Sequence, residues 1–155
     1  MIGLCSLGRN TAPTRQLIMP FDLHITDGAL RVNWHGIITR DDLRQMAQAF
    51  AQAVAGPDAI PRWMTDFSSA ETFDVDFASV SGFASTIRTL PLNLPVKSAI
   101  VASRPLQFGF ARMYQTLQNK PNVVVQFFPD SDSAWAWLKA ENQGRKNGGQ
   151  DRGRR

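Results

Sequence analysis

The sequence predicts an α/β domain built on a mixed β-sheet, with elements in the order β-β-α-β-α-β-α-β-α. Three observations lead there. An Asp27-Gly28 pair sits between two runs of strictly alternating apolar and polar residues. Three later short runs are rich in β-branched and aromatic residues, and stretches with apolar residues at helical spacing separate or follow them. With 155 residues, 43% of them apolar and 19% charged, the chain is long enough for one domain with a real core and too short to expect two.

The first element is a hairpin. Phe21, Leu23 and Ile25 alternate with Asp22, His24 and Thr26, and Leu30, Val32 and Trp34 alternate with Arg31, Asn33 and His35. A two-residue turn at Asp27-Gly28 pairs Ile25 with Leu30, Leu23 with Val32 and Phe21 with Trp34, which puts every apolar residue on one face. Thr39 then caps a helix whose first turn carries Asp41 and Asp42, as the helix dipole favours. Leu43, Met46, Ala47, Phe50 and Val54 form one stripe that ends at Gly56-Pro57.

Arg62 to Phe67 reads as a short strand, and a polar loop containing Ser68, Ser69 and Glu71 leads on to Phe73. A second helix is expected from about Asp76 to Thr89, with Phe77, Val80, Ala84 and Ile87 inward. Val96 to Ala102 is a buried strand. Ser103 can cap a third helix that accepts Pro105 in its first turn and turns Leu106, Phe110, Met113 and Leu117 inward. Val123 to Phe128 forms the last strand, and Asp130 or Ser131 opens a helix that carries Trp135, Trp137 and Leu138. Strand-helix-strand units favour parallel neighbours, so the hairpin supplies the antiparallel part.

The net charge of +4 and pI near 9.8 raise the possibility of a polyanion partner. The map of charges confines it to non-specific contact by the C-terminal tail. The stretch from Asn142 to Arg155 holds five basic residues and one acid, hence the whole net charge, and it has no side chain able to build a core. Positions 21–141 carry ten basic and twelve acidic residues. The division expected is therefore a disordered extension over residues 1–19, one domain over 20–141 and a disordered basic tail over 142–155. That tail lacks aromatics for stacking on bases, so no specific nucleic-acid partner is expected. Periodicity begins at Pro20, which makes Met19 as well as Met1 a candidate start. The N-terminus has no signal-peptide pattern and no run spans a membrane, so a soluble cytoplasmic protein is expected. Cys5 alone allows neither an internal disulfide nor a multi-Cys metal site.

The hairpin, Gly36 to Leu43 (GIITRDDL), the strand ending in Asp66, Ala99 to Leu117 (AIVASRPLQFGFARMYQTL) and Phe127 to Leu138 (FFPDSDSAWAWL) together resemble bacterial STAS/SpoIIAA-like proteins. The resemblance covers about residues 20–139. It implies the fold of sporulation anti-sigma-factor antagonists and of the STAS domains of anion transporters, which are binding and signalling modules rather than enzymes. Antagonists with a phospho-switch carry an Asp-Ser dipeptide at the start of the helix after the third strand. The present chain reads Asp74-Val75-Asp76 there, with Ser68 and Ser69 displaced, so the switch is not carried over.

No Ser-His-Asp set, phosphate loop or metal motif can be assembled, and no cofactor, metal or catalytic role is expected. His24 and His35 lie on the polar face of the hairpin, roughly 13 Å apart at ~3.3 Å per residue, too far to share a metal. Asp66, Asp74 and Asp76, with Glu71, are the densest acid group. They stand where α/β sheets bind ligands, but capping by Asp74 or Asp76 and solvation account for them. Ser103 and Arg104 precede a helix whose N-terminal N–H groups could hold an anion. Phe108 points away from the stripe of its helix and is suited to an interface.

The reading is a non-enzymatic interaction module that binds itself or a signalling partner through Ser68, Ser69, Phe73, Asp74, Asp76, Ser103, Arg104 and Phe108. The alternative is a carrier or sensor of a small apolar, lipid-like or anionic ligand, since the broad fold group stands beside CRAL-TRIO lipid-transfer domains.

Overall fold

The computed structural model describes residues 19–140. The extension and basic tail expected at the two ends fall outside the described residues, save Met19. Nine elements follow in the expected order: β1 (Phe21–Thr26), β2 (Ala29–Thr39), α1 (Arg40–Val54), β3 (Arg62–Asp74), α2 (Phe77–Thr89), β4 (Val96–Val101), α3 (Pro105–Gln118), β5 (Val123–Phe128) and α4 (Ser131–Lys139). The five strands lie side by side in chain order. β1 runs antiparallel to β2, and every other neighbouring pair is parallel.

The hairpin has the register its sequence dictates, with Phe21 opposite Trp34, Leu23 opposite Val32 and Ile25 opposite Leu30. Asp27 and Gly28 both take positive φ, 52° and 72°, which is the two-residue turn that matches strand twist. Ile25, at the turn end, stays exposed.

Each of the three crossovers steps one strand further in the same direction, so a common hand places α1, α2 and α3 on one face of the sheet. There Trp34, Phe50, Trp63, Phe67, Ile87, Ile100 and Phe110 belong to one continuous core. α4 turns back over the other face, where Ala134 and Leu138 bury against Met64, Ala99 and Val101. Its rim is closed by amphipathic side chains. The Arg31 guanidinium lies 4.8 Å from the Trp135 ring and the Lys97 Nζ 4.5 Å from Trp137. Lys97 also donates to the Trp137 and Ala140 carbonyls at 2.6 and 3.1 Å, capping the C-terminal end of α4. Burial, with Arg62 beside it, holds the Lys97 pKa below the usual lysine value.

Four local expectations are corrected. β2 runs on past His35 to Thr39, and the segment expected as a polar loop after Phe67 is a continuation of β3 as far as Asp74. The register slips by one residue between Asn33 and His35 and again between Gly36 and Ile37, each slip placing an extra residue in β3. The inward positions of β3 thereby change from every second residue to every third: Phe67, Ala70 and Phe73. Gly36 (φ 65°) stands at the second slip, in a conformation that favours glycine. Phe77 and Leu106 point outward rather than into the core. Arg104, not Ser103, occupies the N-cap of α3.

Candidate functional site

The parallel strands all end on one rim of the sheet, and the N-termini of the helices rise from it. Each start is fixed locally. At α1, Thr39 N–H donates to Asp42 Oδ2 at 2.7 Å and Asp42 N–H to Thr39 Oγ1 at 3.4 Å. At α2, Ser79 N–H donates to Asp76 Oδ1 at 2.8 Å while Asp76 N–H donates to Ser79 Oγ at 3.1 Å, a reciprocal capping box. The bonds from Ser79 hold the Asp76 carboxyl below its ordinary pKa, with Arg40 contributing from 3.5 Å. At α4, Ser133 N–H donates to Asp130 Oδ1 at 2.7 Å, which lowers that carboxyl in the same way.

α3 is built differently, because the Arg104 side chain has no acceptor with which to cap. Gln107, only 1% exposed, takes over. Its Oε1 accepts from the N–H groups of Ser103 and Arg104 at 3.0 and 3.2 Å, and its Nε2 donates to the Ala70 carbonyl at 2.9 Å. Arg104 Nη2 donates to the same carbonyl. β4 pairs with β3 only as far as Val101 opposite Asp66. Beyond that point the side chains of Gln107 on α3 and of its N-cap, Arg104, supply the donors that a neighbouring strand would.

The anticipated site residues are spread along this rim. Ser68 and Ser69 are exposed on the bulged part of β3, with Ser68 N–H donating to Asp66 Oδ1 at 2.8 Å. Phe73 is half-buried, its ring stacked 4.4 Å from Phe110 and 5.7 Å from Phe67. Asp74 ends β3 opposite Thr39, and Asp76 caps α2. Ser103 and Arg104 join β3 through Gln107 and Ala70. Phe108 stands apart on the β5 side of α3, 45% exposed, its ring 5.3 Å from Phe127 with Arg112 beside both. His24 faces Arg31 across the hairpin, and His35 lies 3.4 Å from Asp22. Among the described residues no group of three or more His, Cys, Asp or Glu is placed to hold a metal ion.

Sequence reasoning passed over four rim residues. Ile37 is 59% exposed, Phe77 64% and Leu106 56%, three large apolar side chains near the C-terminal end of β2 and in the first turns of α2 and α3. The fourth is Gln107, whose signal was available as a glutamine three positions past the N-cap. Behind the rim, α1 and α2 enclose a surface groove of about 440 Å³ lined by Arg40, Arg44, Asp76, Ser79 and Phe83. Its two arginines already have partners, Asp76 and Asp41. The cavity within the core, beside Thr65, Ser98 and Tyr114, measures about 30 Å³, room for a water or two. Burial pushes the Tyr114 phenol well above its usual pKa.

No protein-family model matches the chain, and neither does any curated protein. Solved structures do match it. An anti-sigma factor antagonist from Mycobacterium paratuberculosis aligns with a TM-score of 0.54 at 18% identity, over 77% of this chain and 93% of that one. The unphosphorylated anti-sigma factor antagonist SpoIIAA aligns with a TM-score of 0.53 at 13% identity, over 75% and 94%. An uncharacterised DUF3478 protein with a SpoIIAA-like fold from Shewanella loihica PV-4 aligns at 0.50 and 18%, over 76% and 91%. The chain has the SpoIIAA-like fold. Among the described residues no helix is long and apolar enough to cross a membrane.

Proposed function

We propose that residues 20–141 form a non-enzymatic, STAS-like module that binds a signalling protein through the rim around Ile37, Phe77 and Leu106. The observation that carries this reading is the exposure of those three large apolar side chains at one end of the sheet, on three different elements. Single exposed apolar residues are ordinary, whereas several on one rim mark a contact surface. Arg40 and Arg104, at the starts of α1 and α3, supply the polar groups that the border of an interface carries. Two of the structures sharing the fold are anti-sigma factor antagonists, which supports a regulatory partner of the same general kind.

α2 opens on Asp76, whose carboxylate is engaged in its own cap, so the partner meets a fixed acid where phospho-switched antagonists present a serine. The nearby Ser79 hydroxyl is likewise occupied, donating to the Asp76 carbonyl at 2.9 Å. A carrier of a lipid-like ligand would need an interior of several hundred Å³, and the cavity of about 30 Å³ does not supply it.

The test is photo-crosslinking in the producing cell, with a photoreactive phenylalanine analogue at Phe77 and, separately, at His24 on β1. A defined protein adduct at position 77 and not at 24 is the expected outcome. Equal labelling at both positions, or none at 77, rejects the rim as the contact surface.

A further inference from the structure

The outer edge of β5 carries an inference independent of the rim. β1 and β5 are the two outermost strands. Unpaired main-chain groups on such strands template a further strand, and natural sheets guard against it with charge, proline or bulges. β1 is guarded by Asp22 and His24. β5 reads Val-Val-Val-Gln-Phe-Phe and keeps an unbroken register against β4, with no charge, proline or bulge.

Two bonds show which groups are free. Val96 N–H donates to the Asn122 carbonyl at 2.8 Å and Ala102 N–H to the Phe128 carbonyl at 3.0 Å, so the even-numbered residues of β5 turn their main chain toward β4. Successive peptide groups alternate in direction along a strand, which turns the N–H and C=O of Val125 and Phe127 outward, together with the Val123 carbonyl. The Val123 N–H is taken by Lys120 O at 3.0 Å. Among the described residues no strand meets these groups.

We propose that β5 pairs antiparallel with β5 of a second copy of this chain, joining two sheets into one across a two-fold axis. An axis normal to the sheet keeps each face on its own side, so opposed residues share parity and outward groups meet outward groups. Centred on Val125, the pairing sets Val125 against itself and Phe127 against Val123 of the other copy, aromatic facing β-branched. The uncharged strand brings no like charges together. Lys120 and Asp130, just beyond its two ends, are engaged within their own chain, the Lys120 Nζ donating to the Arg88 and Leu90 carbonyls at 2.8 and 2.7 Å and the Asp130 carboxylate capping α4, so neither sets a free charge against the ladder. Pro121 and Pro129 then fall opposite one another, and without N–H groups they end the ladder on both sides. Phe108, packed on Phe127, adds apolar surface beside the joint.

Sedimentation velocity of the full chain over a range of concentrations tests this. The wild type is expected to form a concentration-dependent dimer. Val125→Pro removes an outward N–H and leaves the bonds to β4 in place, since an edge strand accepts proline there; it is expected to be monomeric with an unchanged circular dichroism spectrum. Gln126→Lys, at an exposed position, sets like charges across the axis. It is expected to weaken the dimer at low salt and to recover at high salt; this variant carries the test if Val125→Pro fails to fold. A wild type that stays monomeric overturns the proposal, as does a folded Val125→Pro that dimerises normally or a salt-insensitive Gln126→Lys dimer. Phe77→Asp separates the two surfaces: an intact dimer is expected, and loss of the dimer would move the self-contact to the rim and overturn the β5 pairing.

Discussion

β3 has two halves that obey different rules. From Arg62 to Asp66 it lies between β2 and β4, with ladder bonds on both sides and core on both faces. Trp63 fills the helix-covered face, edge-on to Phe50 at 4.8 Å with its indole N–H donating to Ile60 O at 3.0 Å, while Met64 fills the face under α4. From Ser68 to Asp74 only β2 pairs with it, through two register slips, and its other side is held at one carbonyl by Gln107 and Arg104. The first half is secured by repetition and the second by particular side chains. Ile37, Phe77 and Leu106, all exposed, lie at the second end, where the backbone is least redundant.

The contrast can be broken at either half. Trp63→Ala removes a fully packed aromatic and should cost about 4 kcal/mol in denaturant melts, the range for such truncations. An effect below about 1 kcal/mol would show that the first half does not anchor the fold. Gln107→Leu keeps the volume and deletes the polar bridge, leaving the Ala70 carbonyl and the N–H groups of Ser103 and Arg104 without it. A cost of about 2 kcal/mol is expected, since the Ala70 carbonyl keeps its bond from Arg104 and the two freed N–H groups belong to exposed residues. Hydrogen exchange discriminates further: the Gln107 variant should expose amides of residues 69–73 well before those of 63–66. Uniform loss across β3 would mean that its halves unfold together.

A smaller change sharpens the boundary. Thr39 ends β2 opposite Asp74 and caps α1 through Asp42. Thr39→Ala is expected to cost about 1 kcal/mol, and Thr39→Ser should restore most of it. Failure of serine to rescue would assign the loss to packing of the threonine methyl group instead of the cap.

The same division explains what was legible in the sequence. The hairpin register, the Thr39 cap and the stripe of α1 follow from period and turn chemistry alone, because nothing overrides them. The second half of β3 was illegible because its bulges space Phe67, Ala70 and Phe73 at intervals of three, which matches neither strand alternation nor a helical stripe among so many polar residues. Phe77 and Leu106 were assigned inward by counting back along their helices. Both stand in the first turn of their helix and are exposed there, while the inward positions begin with Val80 in α2 and Gln107 in α3. Of the candidate site, Asp76 and Arg104 were within reach because caps and helix starts leave local signals. Ile37 was not, since it lies on a stretch of β2 that exists only because β3 continues.

The smallest effect concerns pH, and its sign follows from the caps. Asp76 and Asp130 each accept a backbone N–H bond, from Ser79 and Ser133, and each is held below the ordinary carboxyl value of 3.8. Their ionised forms are therefore favoured by the folded state. The stability they contribute is complete above 3.8 and is lost as the pH falls through the lower folded values. Below that window the first turns of α2 and α4 should loosen, α2 carrying Phe77 with it. Carboxyl-carbon titration by NMR should give midpoints under 3.8 for both residues, and a midpoint at or above that value would show the cap bond to be absent in solution. Asp76→Asn separates charge from geometry. Asparagine caps nearly as well and does not titrate, so this variant should keep α2 helical at neutral pH and remove its share of the acid response. If the rim is the contact surface, partner binding by that variant should depend less on pH than binding by the wild type.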